Sequence, residues 1–358
     1  MILINDNNPI GARGMARYFS YALDAIRTRY GARATVCSPI VRDYQPARFV
    51  RAPHFKGSEQ ISLHHKFAAL TAWRLHPQVI YSAWYSQFAS PAKQVFVVYD
   101  LIYERYPQYH SRWQTPLRNL AREHQRSLER ADKIIAISQS TALDIVSCYP
   151  QVDRAKITVV PLGVDEFFFE PVADLQNANQ SPYLLYVGFR SNHKNFMRLL
   201  QAYGESGIYR HCDLKVASRQ PFSDEEMECL RALNMLGQVQ LISDASEAEL
   251  RRYYQQAIAL VYPSVYEGFG LPILEAMAGG TLVATSNTSS MPEVGGDAAF
   301  YFDPLDHASM ADTLNKVIGL SATERRSHIA AGLQQARKFT WQRCQEMTVA
   351  IIEQLLQV

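Results

Sequence analysis

Short apolar runs alternate with helix-patterned segments along most of the 358 residues of the chain. The first apolar run, residues 2–4, precedes a segment in which Tyr18, Ala22 and Ile26 recur at the spacing of one helix face. Strands that alternate with helices predict parallel sheets with helices on both faces, so we predict an α/β fold. The predicted strands are residues 2–4, 34–37, 79–82, 94–99, 133–138, 156–160, 183–187, 214–217, 239–242, 259–262, 282–285 and 299–302, with helices near 60–75, 114–131 and 140–148.

A polar segment, residues 166–181, interrupts this alternation and has the composition of a linker. Because domains usually span about 100–200 residues, the length also favours two of them. We predict doubly wound, Rossmann-like domains over 1–165 and 182–338. Ligands of such sheets bind beyond the carboxyl ends of the strands, so we expect the two domains to face each other across a cleft that holds the site. Capping boxes are predicted to open three helices of the second domain, at Ser223 with Glu226, Ser246 with Glu249 and Ser321 with Glu324.

Charge is distributed unevenly along the chain, although the formal net charge is only +2. Residues 1–160 hold 21 Lys and Arg against 11 Asp and Glu, a balance of +10, which leaves −8 for the remainder. A basic first half suggests an anionic partner such as a membrane surface, a diphosphate-bearing lipid or nucleic acid, or else a set of solvated helix faces. Nucleic-acid binding is not expected, because a clustered basic module is missing from the sequence.

Several features of the sequence favour a cytoplasmic protein. The five cysteines lie far apart and include no C-x-x-C pair, which argues against a disulfide framework or a zinc site. No apolar run approaches the length of about 18 residues that a membrane span requires. The first residues also lack the basic and apolar regions of a secretory signal.

The most informative stretch is residues 259–280, which has the pattern of a strand, a glycine turn and a helix. Gly268 and Gly270 permit close approach of the backbone to a ligand, and Pro272 suits a first helical turn. A helix that begins there would direct its free N–H groups at an anion such as phosphate. Glu267 and Glu275 flank this site, and carboxylates are good acceptors for the hydroxyls of a sugar or a ribose. The alternative is an ordinary glycine turn before a core helix, with Glu275 on a solvated face.

Glu267 through Glu275 resembles the E-x7-E signature of the retaining GT-B glycosyltransferases of family four, including its EGFGLP and EAMA context. The resemblance extends over most of the chain. Its other segments are residues 11–18, 98–102, 137–142, 160–165, 186–195, 286–287 and 292–299.

The resemblance implies a GT-B fold and retaining transfer of a sugar from a nucleotide diphosphate sugar. It places the nucleotide on the second domain and a glycan or polyprenyl-diphosphate-linked acceptor on the first, with residues 339–358 as a helix that packs back on the first domain. The relatives that the resemblance suggests are bacterial mannosyltransferases of polysaccharide assembly. We therefore favour GDP-mannose over a UDP-sugar as the donor. Docking on the inner face of the cytoplasmic membrane is a further expectation.

The resemblance also assigns residues to the site. Glu267 is the implied catalytic carboxylate, and Lys194 and Arg190 are expected to bind the donor diphosphate. Asp100 is a candidate catalytic or contact residue of the first domain, beside Tyr99, which stands where relatives carry histidine. Further donor-binding residues are Gly14, Gly188, Gly268, Phe269, Gly270, Leu271 and Glu275.

Metal-independent catalysis is expected, because no Asp-x-Asp motif is present to hold a divalent ion on the diphosphate. Apart from the nucleotide sugar as co-substrate, no cofactor is predicted, and the full G-x-G-x-x-G of a dinucleotide site is missing. One alternative is a glycoside hydrolase or phosphorylase that uses Glu267 and Glu275 as its two carboxyls. Another is a transferase-like protein that binds nucleotide without turnover.

Overall fold

The computed structural model describes residues 1–6, 13–38, 45, 47–52, 60–82, 88–109, 114–172, 181–190 and 192–357. These residues form two compact units. The first comprises Met1–Leu162 together with Trp341–Val358, and the second comprises Gly163–Thr340.

The first unit is built on a seven-stranded, all-parallel sheet with the order β3-β2-β1-β4-β5-β6-β7. The chain runs outward from β1 to β3 and then returns to β4 on the other side of β1, which is the topology of a doubly wound sheet. The strands are β1 Ile2–Asn5, β2 Ala34–Ser38, β3 Arg48–Arg51, β4 Val79–Ser82, β5 Lys93–Val98, β6 Lys133–Ala136 and β7 Ile157–Val159.

Helices pack against this sheet through small and branched apolar side chains, such as Ala68 and Ala72 over Leu3 and Ile80. The helices are α1 Arg13–Tyr30, α2 Gln60–Leu75, α3 Ile102–Arg105, α4 Gln114–Arg130 and α5 Gln139–Cys148.

The last helix, Trp341–Leu356, also belongs to the first unit. Its Trp341 ring stacks on Tyr21 of α1 with centroids 4.3 Å apart, and Gln345 donates to the Tyr21 carbonyl at 2.9 Å. A salt bridge of 2.7 Å joins Arg29 to Glu353 further along the same contact. The chain therefore returns to α1 after it has completed the second unit.

The second unit is built on a six-stranded parallel sheet with the order β10-β9-β8-β11-β12-β13. The strands are β8 Tyr183–Val187, β9 Asp213–Ala217, β10 Val239–Ile242, β11 Ala259–Tyr262, β12 Leu282–Ser286 and β13 Phe300–Phe302. The helices are α6 Phe196–Ser206, α7 Asp224–Ala232, α8 Glu247–Gln256, α9 Leu271–Ala278, α10 Met291–Gly295, α11 His307–Ile318 and α12 Ala322–Ala336.

All three capping boxes predicted from the sequence are confirmed, at the starts of α7, α8 and α12. The strand β3 was not predicted, because its four residues carry arginine at both ends and lie at the edge of the sheet. The predicted linker also begins inside the second unit, since residues 166–169 form a 3₁₀ helix whose Phe168 packs edge-on against Tyr254 of α8.

Among the residues that the structure describes, no helix has both the length and the apolar character needed to cross a membrane.

Candidate active site

The site of the second unit centres on the loop between β11 and α9, which contains Glu267. Gly270 ends this loop with a φ of 109°, in the region that favours glycine, and Pro272 occupies the first turn of α9 as predicted. At the start of α9, Pro272 carries no N–H and the Ile273 amide donates to the Gly270 carbonyl at 3.0 Å, so the Leu271 amide is the opening donor that the helix itself does not use. It lies four residues after Glu267 in the chain.

Glu267 forms an ion pair with Lys194, whose Nζ lies 2.5 Å from Oε1 of the carboxylate. The two side chains are only 12% and 20% exposed, respectively. Burial by itself would raise the pKa of Glu267, but the charges of Lys194 and His193 outweigh it and hold the pKa below its ordinary value. The carboxylate is therefore charged at neutral pH and beside a fixed cation.

Asn195 holds Lys194 in this position, although the sequence analysis did not select it as a site residue. Its Nδ2 donates to the carbonyl oxygens of Pro263 at 3.0 Å and Pro304 at 2.6 Å, and its backbone is left-handed with a φ of 59°. The amide of Val265 adds a bond of 2.8 Å to the His193 carbonyl. These bonds tie the segment after β8 to the loop that carries Glu267.

Glu275 is buried in α9, where its Oε2 accepts a hydrogen bond of 2.9 Å from the hydroxyl of Tyr254. This position overturns the alternative in which Glu275 lies on a solvated helix face. Two residues between Glu267 and Glu275 also pack at this end of the loop. Phe269 is buried edge-on against Phe339, with centroids 5.8 Å apart, and Leu271 is the half-buried first residue of α9.

Gly188 follows β8 with a φ of 131°, and a Cβ built on it would meet no heavy atom of the described residues within 4 Å. The backbone at this position therefore leaves room for close approach by a ligand, and the donor contact expected of Gly188 stays a prediction.

Arg190, two residues further on, is engaged within the protein. Its side chain is 3% exposed and pairs with Glu226 at 2.9 Å, while Nη2 donates to the carbonyls of Gln220 and Pro221. The guanidinium also lies 4.9 Å from the ring centroid of Phe222. These contacts explain its burial, and the diphosphate contact expected of Arg190 stays a prediction.

Two of the candidate residues of the first unit, Tyr99 and Asp100, directly follow β5. Gly14 is exposed in the first turn of α1. Tyr99 is buried with its ring edge-on to Tyr18, at a centroid distance of 5.7 Å, and Asp100, which precedes the N-cap residue of α3, accepts from the Ile102 amide at 3.1 Å. Tyr99 and Asp100 line a cavity of about 120 Å³. Their role as donor or acceptor contacts stays a prediction.

Comparisons with known proteins agree with this fold. A family model described as Glycosyltransferase Family 4 matches residues 12–166, and one described as Glycosyl transferases group 1 matches residues 169–334. O-antigen chain mannosyltransferase B of Escherichia coli is 31% identical over 271 residues, which cover 72% of this chain and 69% of that protein.

Solved structures share the fold at lower identity. Sucrose-phosphate synthase from Thermosynechococcus elongatus superposes with a TM-score of 0.80 at 19% identity, covering 99% of this chain and 98% of that one. Anabaena Alr3699/HepE in complex with UDP and glucose superposes with a TM-score of 0.75 at 16% identity, covering 99% of each chain.

The two parallel-sheet units define a glycosyltransferase of the GT-B fold class. Within that class, the chain belongs to glycosyltransferase family 4.

Proposed function

We propose that this protein is a retaining, metal-independent glycosyltransferase that moves mannose from GDP-mannose to a glycan or lipid-linked glycan in polysaccharide biosynthesis. The observation that carries the proposal is the ion pair between Lys194 and Glu267 directly before the first turn of α9. Mannose is favoured because the relative that is 31% identical is an O-antigen chain mannosyltransferase. A UDP-sugar is the second candidate, since HepE has a similar fold and was solved with UDP and glucose.

The donor diphosphate is assigned to Lys194 and the opening Leu271 amide of α9, while Gly188 leaves room for the diphosphate and supplies no donor, since its amide bonds to the Ala217 carbonyl at 3.1 Å. An ammonium has three donors, so Lys194 can bind a phosphate oxygen and keep its bond to Glu267. Fixed cations and amide dipoles stabilise the negative charge that develops on the leaving group, and one such contact typically contributes roughly 10²–10³ in rate. This is why both a helix start and a cation beside it suit the departure of a nucleoside diphosphate.

The two glutamates are assigned to hydroxyl groups of the donor. The Glu267 carboxylate would hold the transferred sugar and Glu275 the nucleotide ribose, because an ionised carboxylate only accepts hydrogen bonds. In the proposed reaction the acceptor oxygen bonds to the anomeric carbon on the face from which the phosphate oxygen leaves. That phosphate oxygen takes the proton of the acceptor hydroxyl, so the proposal needs no protein nucleophile. The lowered pKa of Glu267 excludes it only as the general acid of the hydrolase alternative, in which Glu275 would have to be the carboxyl with the raised pKa.

The acceptor is assigned to the basic first unit, at the surface of the cytoplasmic membrane. One stripe of α2 exposes Lys66, Leu70 and Trp73, spaced by four and three residues, with Arg74 beside them. Leu70 and Trp73 are 59% and 72% exposed. Apolar side chains between two cations suit a bilayer with anionic head groups, where a lipid-linked acceptor would lie.

The decisive experiment incubates the protein with GDP-mannose, UDP-glucose and bacterial lipid-linked glycans and follows the released nucleotide and the product anomer by NMR. Transfer with the donor's anomeric configuration is expected from the wild type and should fall by roughly 10²–10³-fold in Glu267→Gln, which leaves a residual rate to measure. Glu205→Gln is a matched control, since Glu205 is exposed and pairs with His307 at the surface of the second unit. An inverted product would refute retention. Nucleotide binding without turnover of any donor would favour the non-catalytic alternative.

A further inference from the structure

We propose that Ser289, supported by Ser290, is a positioning residue that holds the backbone of Glu267 in its working geometry. Both serines lie between β12 and α10, beside the loop that follows the neighbouring strand β11. The catalytic consequence rests on the role proposed for Glu267, whereas the backbone contact itself does not.

The Ser289 hydroxyl forms hydrogen bonds with both the amide and the carbonyl of Glu267. Its Oγ accepts from the Glu267 amide at 2.9 Å and donates to the Glu267 carbonyl oxygen at 2.7 Å. The same oxygen accepts from the amide of Ser290 at 2.6 Å. A hydroxyl has one donor and two acceptor sites, so these three bonds use its full capacity. Ser289 is therefore suited to positioning and not to substrate contact.

Ser290 and Thr288 extend the same contact along the loop. The fully buried Ser290 hydroxyl lies 2.9 Å from the carbonyl oxygen of Glu267 and 2.7 Å from that of Phe269. Thr288 donates to the carbonyl of Val265 at 2.9 Å. Alternate carbonyls of the loop are thus held by three consecutive hydroxyl side chains. A loop that carries a charged, largely buried carboxylate needs such support, because its backbone has no strand or helix bonds of its own.

The backbone of Ser289 is left-handed, with a φ of 52°, a conformation that side chains other than glycine adopt at some cost. This suggests a pair of variants that separate the hydroxyl from the strain. Ser289→Ala removes the hydroxyl and keeps the Cβ, whereas Ser289→Gly removes the hydroxyl and relieves the strain. Thr313→Ala is the matched control, since its hydroxyl also donates to backbone carbonyls, of Tyr301 and Ser309, away from the loop.

The first measurement is amide hydrogen exchange at Glu267, which requires no substrate. Exchange should accelerate by at least about tenfold in both Ser289 variants and stay unchanged in Thr313→Ala, because only the former lose the partner of that amide. Unchanged exchange in the Ser289 variants would overturn the proposal. This readout decides the backbone contact even if the wild type transfers no sugar, a result that would count against the proposed function alone.

The second measurement is turnover. Both Ser289 variants should lose about 10- to 100-fold in kcat, since a displacement of about 1 Å at a catalytic group has effects of this size. Their affinity for GDP should fall less than kcat, because Ser289 bonds to the backbone of Glu267 and not to Lys194 or the Leu271 amide, to which the diphosphate is assigned. When Ser289→Gly is added to Glu267→Gln, kcat should fall by less than about twofold further, as expected of two residues that act as a unit. Full additivity, or rescue of kcat by the glycine variant alone, would overturn the positioning role.

Discussion

The ammonium of Lys194 lies 2.5 Å from Oε1 of Glu267, although 73 residues separate the two in the chain. Lys194 follows β8 and Glu267 follows β11, and these strands are neighbours in the six-stranded parallel sheet. Because the carboxyl ends of parallel strands share one edge, the doubly wound topology brings the cation to the carboxylate. The pair therefore results from strand order.

We predict that Lys194→Met reduces transfer by at least about 100-fold, because it removes the cation assigned to the leaving diphosphate. It also leaves the carboxylate of Glu267 without its main partner, which should lower the free energy of unfolding by about 3 kcal/mol. Steady-state kinetics and urea denaturation measure the two effects. Lys316→Met, on the outer helix α11, is the control for loss of a lysine. Wild-type turnover in Lys194→Met would exclude the assigned role.

The lowered pKa of Glu267 makes a prediction about acid stability. A carboxyl whose pKa is depressed in the folded state contributes stability above its ordinary pKa of 4.5, and loses this contribution as the pH falls through the depressed value. The stability difference between the wild type and Glu267→Gln should therefore be largest above about pH 4.5 and should shrink on further acidification. Thermal denaturation across this range measures it. A difference that grows in acid would contradict the lowered pKa.

Arg190 is predicted to be a stability residue. Arg190→Met should lower the free energy of unfolding by roughly 3–5 kcal/mol, because it leaves the buried Glu226 carboxylate without its cation and with only the capping-box bond from the Ser223 amide. Arg219→Met is the matched control, since Arg219 pairs with Asp244 at 3.7 Å on the surface, and the change should cost under about 1 kcal/mol.

The same variant tests the diphosphate contact expected from the sequence. If GDP stabilises folded Arg190→Met as much as it stabilises the wild type, the arginine does not bind the diphosphate. A selective loss of this stabilisation would support the contact. Thermal shift with saturating nucleotide distinguishes the two outcomes.

Transfer is predicted to survive exhaustive treatment with EDTA, because Lys194 and the helix start are assigned the charge that a divalent ion would otherwise neutralise. The measurement is the initial rate of nucleotide release with and without chelator, followed by addition of Mg²⁺ or Mn²⁺. A strict requirement for either ion would reject metal-independent catalysis.

The α2 surface is predicted to bind vesicles that contain phosphatidylglycerol at low salt and to release them at high salt. Trp73→Ser and the double charge reversal Lys66→Glu with Arg74→Glu should each weaken co-sedimentation several-fold. Leu143→Ser is a matched control, because this leucine of α5 is also exposed and lies on a different helix. Equal binding by all variants would show that another surface is responsible.

Features that depend on neighbouring residues could be read from the sequence. The alternation of strands and helices, the capping boxes and the glycine–proline start of α9 involve interactions within a few residues, so composition and spacing determine them. The family motif around Glu267 was accessible for the same reason, since it is contiguous. The edge strand β3 was missed because four residues with charged ends carry almost no periodic signal.

The tertiary structure alone decided how side chains from different loops combine. It directs Arg190 to Glu226, buries Glu275 against Tyr254 and brings the Ser289 hydroxyl to the backbone of Glu267. Hydrogen bonds of this kind depend on distances of a few tenths of an ångström between residues that lie far apart in the chain. Local pattern specifies which element a residue belongs to, whereas the packing of adjacent strands selects its partner.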